Sequence, residues 1–175
     1  MAIKYYVTLT LMFTGLTFAQ SSDNTGRVPN AGFAEPDQAF VLEAAAYANL
    51  EVQMSRVAAL RANANPVRSF AQSMAEDHSK ARRKLKEIAL SRDFRVSDQL
   101  DDKRADILMT LQRYAGDEFD REYLTQQVDQ HRRAVRLFQA QAQRGRDDEL
   151  RTFAESKLAA LEAHLRTARE LADSR

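Results

Sequence analysis

NPVRSFAQSMAEDHSKARRKLKEIAL, residues 65–90, decides how the whole chain is read. Val67, Ala71, Met74, Ala81, Leu85 and Ile88 recur at spacings of four and three, with His78 standing in the same row between Met74 and Ala81. That is the period of a helix with one buried stripe, not the alternation of a strand. Asn65 reads as the cap and Pro66 as the first helical residue, where a missing N–H costs nothing.

The same rule holds on either side. Upstream, Phe40, Ala44, Tyr47, Glu51, Met54 and Ala58 form the stripe of a helix expected from Pro36-Asp37, with Asp37 as cap, to about Asn63. Downstream, a short helix is expected over Leu100 to Tyr114, stopped by Gly116. A long helix follows from Glu118 to Arg144, with Leu124, Val128, His131, Val135, Phe138 and Ala142 in its stripe and Gly145 at its end. The last helix is expected over Asp147 to Ala172, on Ala154, Leu158, Leu161, Leu165 and Ala168. Asp117, Glu118 and Asp120 read as first-turn carboxylates favoured by the helix dipole. The tight connections near 64 and 145 imply antiparallel hairpins, and the segment from Leu90 to Glu118 is long enough to cross from one end to the other. The expected fold is all-α: a ferritin-like four-helix bundle with a short extra helix in the crossover, occupying residues 36–175.

Composition agrees. Of 175 residues, 44% are hydrophobic and 29% charged, enough apolar content for a core. Only 5 Gly and 3 Pro argue against a turn-rich β fold. With no Cys, there is no disulfide framework, iron–sulfur centre or thiol nucleophile. Lys+Arg 26 against Asp+Glu 25 leaves no basic excess to hold nucleic acid. The run Lys80, Arg82, Arg83, Lys84, Lys86 reads as a solvated face, with weak attraction to a membrane surface as its one other use.

Residues 1–19 read differently from the rest. Lys4 precedes an uncharged stretch from Tyr5 to Phe18, and Thr17-Phe18-Ala19 has the small residues of a cleavage site. This is the pattern of a signal peptide, cut after Ala19, so that the protein is exported to a periplasm. The uncharged run is short for a bilayer span, which needs about 20 residues. Residues 20–35 read as a flexible tail.

The chain's three histidines, His78, His131 and His164, all lie on or beside apolar stripes, and Glu51 lies on another. A buried carboxylate needs a cation, a donor or a proton. Counted from the turns, Glu51, His78 and His131 fall near one level of the bundle, with His164 offset by about four residues, or about 6 Å. Three imidazoles and a carboxylate suit a divalent transition metal, zinc first, with copper and iron as alternatives. Asp77 beside His78 is positioned to orient an imidazole. The same four residues can also form a metal-free hydrogen-bond network. Met54 and Met74 read as core filling rather than thioether ligands. Three residues before each histidine stand Ala75, Val128 and Leu161, so the Glu-x-x-His pairs of a di-iron site are absent. No nucleophile elbow or phosphate loop is present, and no catalytic residue is assigned.

FVLEAAAYANLEVQMSRVAALRA (40–62), NPVRSFAQSMAEDHSKA (65–81), GDEFDREYLTQQVDQHRRAVRLF (116–138) and LRTFAESKLAALEAHLRTA (150–168) together resemble the bacterial domain-of-unknown-function family 4142. The resemblance implies a ferritin-like fold in the periplasm or at the outer membrane, and no defined activity. Its pattern falls here on Glu51, Asp77-His78, Phe119-Asp120, Tyr123, His131 and His164. Ala159-Ala160 stands where many members have a proline. Three functions follow: a metal-binding protein using Glu51, His78, His131 and His164; an enzyme with an open position on that metal, disfavoured because apolar surroundings at mid-bundle would seal it from substrate; or a metal-free structural or partner-binding helical module.

Overall fold

The computed structural model describes residues 32–174, so the expected signal segment lies outside the described residues. Within them the chain forms five helices and no strand: α1 (Glu35–Arg61), α2 (Asn65–Leu90), α3 (Asp102–Arg113), α4 (Gly116–Arg144) and α5 (Asp148–Asp173). No helix among them is long and apolar enough to cross a membrane. α1 packs along α2, and α4 along α5, as two hairpins. The hairpins meet chiefly through α1 and α4, more sparsely through α2 and α5, while α3 rests on α1 and α4.

Two carboxylates differ from their expected roles. The N-caps of α1 and α2 are Ala34 and Ala64, not Asp37 and Asn65, and each helix has its proline as the second residue. Asp37 is buried and accepts hydrogen bonds from the Gln141 amide (2.8 Å) and the backbone N–H groups of Arg146 (3.0 Å) and Asp147 (3.0 Å). Asp120 is also buried, and accepts from the backbone N–H groups of Asn63 and Ala64 (both 2.9 Å). Each closes the turn of the hairpin to which it does not belong. These bonds put the start of α1 beside the α4–α5 turn and the start of α4 beside the α1–α2 turn. Residues 91–115 therefore run from one end of the molecule to the other.

That crossing is tied down from α1. Arg61 donates to the carbonyls of Gln112 (3.0 Å) and Tyr114 (2.7 Å) and lies over the Phe119 ring. Buried Asn49 donates to the Ser97 carbonyl (2.9 Å) and accepts from Arg82. Phe33, expected in the tail, is buried against the Phe94 ring, so the packed unit begins before α1. Much of the basic run on α2 is paired: Lys80 with Glu76, Lys84 with Glu87 and Glu149, Lys86 with Asp98.

The apolar interior is in two parts. One gathers Phe33, Phe40, Leu85, Ile88, Phe138 and Phe153. The other gathers Met54, Phe70, Met74, Leu111, Phe119 and Leu124, so both methionines are core. The three imidazoles belong to neither cluster, and their elements place them between the two.

Candidate metal centre

His78 on α2, His131 on α4 and His164 on α5 converge. One nitrogen from each lies within 4.8 Å of the others. Their ring centroids form a near-equilateral triangle of 5.3, 5.4 and 5.6 Å. The offset of His164 counted along the helices is thus absorbed by side-chain reach. His78 and His131 are buried, and His164 is partly so.

The outer contacts set the protons. A carbonyl only accepts, so the 2.9 Å contact to the Gln127 carbonyl puts the proton of His131 on Nδ1 and a lone pair on Nε2. Likewise the 3.2 Å contact to Asp77 Oδ2 puts the proton of His164 on Nε2. Its Nδ1 lone pair is buried with no hydrogen-bond partner. A carbonyl or carboxylate behind the imidazole is the usual support of a metal-bound histidine. His78 Nε2 and His131 Nε2 are 3.3 Å apart. Two nitrogens bound at about 2.0–2.1 Å to one tetrahedral ion stand about 3.3 Å apart.

The electrostatics keep these lone pairs available. Burial, then the neighbouring His131 and His164, holds His78 well below the usual imidazole value. Burial carries His131 down to about 3. Burial also lowers His164, against the opposing pull of Asp77. Three neutral imidazoles are the state a divalent ion requires.

Glu51 lies outside the triad. It is fully buried and accepts from the Gln127 amide at 2.6 Å. Gln127 precedes His131 by one helical turn, about 6 Å, and the ring of Tyr47 takes the place beside the imidazoles, 5.3 Å from His78 and 6.0 Å from His131. Glu51 Oε1, Gln127 Oε1 and the Tyr47 hydroxyl are buried without hydrogen-bond partners. Burial pushes the Glu51 carboxyl up to about 8, partly opposed by Gln127, so it holds a proton at neutral pH.

Gln127 is the residue that reading for histidines and carboxylates misses. The buried face of α4 runs through Tyr123, Gln127, Gln130, His131, Ala134, Phe138 and Gln141, turned from the expected row so that three glutamines go inside while Val128, Val135 and Ala142 are only partly covered. Its position one turn before His131 was the available signal.

The family model described as a domain of unknown function, DUF4142, matches residues 23–171, and the chain belongs to that family. No curated protein and no solved structure matches.

Proposed function

We propose that this is an exported, periplasmic protein that binds one divalent transition metal through His78, His131 and His164, inside a ferritin-like four-helix bundle with α3 in the crossover. The observation that carries the reading is the unpartnered, buried Nδ1 of His164, in a residue whose ligand nitrogen comes within 4.8 Å of those of His78 and His131. A buried imidazole lone pair without a partner is costly, and a bound cation would relieve that cost. An all-imidazole donor set favours zinc, with copper and iron as the competing ions. Asp77 and the Gln127 carbonyl orient the ligands. Glu51 is a neutral neighbour, not a ligand. The bundle assignment is supported by the two hairpins and the end-to-end course of residues 91–115.

The competing reading is a metal-free helical module whose polar layer only sets helix register. The 3.3 Å His78–His131 contact favours it if it is a direct N–H···N bond. Elemental analysis of the native protein, beside a His78→Ala/His131→Ala variant, separates the two. Near-stoichiometric metal in the wild type and none in the variant supports the metal reading. Equal, trace metal in both overturns it.

A further inference from the structure

Between α2 and α5, where the hairpins pack least, a cavity of about 190 Å³ reaches the histidines from the surface. His78, His164 and Tyr47 line it, and His131 does not. Its walls include buried Leu85, Phe138 and Phe153. Lys157, Lys80 (which pairs with Glu76), the Asp77 carboxylate and the exposed Ala160 also line it.

Three ligands leave a tetrahedral ion one position, and a site that keeps such a position accepts a small molecule there. The space suits a particular kind. An apolar cavity of about 150 Å³ holds a benzene ring, so this one takes a single ring with one small substituent. Aromatic and aliphatic walls suit a flat apolar body. A divalent metal at the inner end favours a single negative charge, with Lys157 in the lining and the Asp77 carboxylate engaged by His164. We propose that this cavity is the ligand entrance of the metal centre and takes a small aromatic monocarboxylate of about the size of benzoate. This rests on the metal reading above.

The test uses the full chain loaded with cobalt(II), whose visible absorption reports a tetrahedral site independently of any added ligand. Benzoate should shift those bands at a concentration at least about tenfold lower than acetate, because acetate has no ring to bury. Ala160→Phe, at an exposed position on the cavity wall, should keep the cobalt spectrum and lose the benzoate advantage. Absence of tetrahedral cobalt absorption overturns the metal reading and this one with it. Absorption that benzoate leaves unmoved, or that acetate shifts equally well, overturns this one alone. A benzoate advantage that Ala160→Phe leaves intact overturns the cavity as the ring's site.

Discussion

Asp37 and Asp120 hold each other's hairpin closed. Asp37, in the first turn of α1, binds the backbone of the α4–α5 turn, and Asp120, near the start of α4, binds the backbone of the α1–α2 turn. Each carboxylate satisfies N–H groups that have no partner within their own hairpin. Removing one strips its turn of charge-assisted hydrogen bonds worth about 1.5–3 kcal/mol each. Asp37→Ala and Asp120→Ala should each lose about 2–4 kcal/mol in urea unfolding. The two sites lie at opposite ends, so the double variant should lose close to the sum. A loss below about 0.5 kcal/mol for either would show that its turn is held by something else.

Gly145 and Gly116 should respond to alanine for different reasons. A Cβ at Gly145 would strike both the Gln141 side chain, which is held by its bond to Asp37, and the Gln141 backbone carbonyl. Gly145→Ala should therefore cost about 1–3 kcal/mol, part of it through displacement of that amide. Gly116 has open space but sits at φ +57°, so Gly116→Ala should cost about 1–2 kcal/mol through backbone strain. Combining each with Asp37→Ala distinguishes them: the Gly145 loss should shrink, the Gly116 loss should not.

Stability of the metal-free protein should depend on pH through Glu51. Its folded value of about 8 lies above the ordinary 4.5, so the folded state holds a proton that the unfolded chain releases. That contribution is complete below about pH 4.5 and is lost as pH rises to about 8. His131 acts in the opposite direction: its folded value of about 3 lies below 6.5, so its contribution is complete above pH 6.5 and is lost as pH falls toward 3. Glu51→Gln, which keeps an acceptor for Gln127, should flatten the alkaline arm of a plot of unfolding free energy against pH and leave the acid arm. An unchanged alkaline arm would mean that Glu51 is ionised in the folded protein.

Metal should stabilise the fold by mass action. At zinc about a hundredfold above its dissociation constant, the gain should be about 2.7 kcal/mol, removable with a chelator. Asp77 is largely exposed and touches the centre through His164. Asp77→Asn should therefore weaken zinc binding about 10- to 100-fold in calorimetry while leaving the metal-free melting temperature almost unchanged. Unaltered affinity would remove Asp77 from the centre.

Much of this was legible in the chain because helices advertise themselves by period. The four-three row from Val67 to Ile88 is buried along most of its length. The three histidines could be picked out because an imidazole in such a row is conspicuous. Glu51 was equally conspicuous, and its burial was legible, but its partner was not. Counting residues from a turn gives height, not the direction in which a side chain points, and Glu51 turns to α4 while Tyr47 takes the place beside His78. The turn-closing roles of Asp37 and Asp120 were hidden for a related reason. A first-turn aspartate looks the same whether it serves its own helix or reaches another hairpin.

Because the imidazole layer parts the greasy interior into two, the molecule has a waist. Each end has its own reason to stay dry. Amide hydrogens above and below should then exchange as two blocks with separate opening energies. An ion bound at the waist would stitch the blocks together, so that they open as one. Occupancy of the centre can thus be followed far from it, in amides that never touch a ligand.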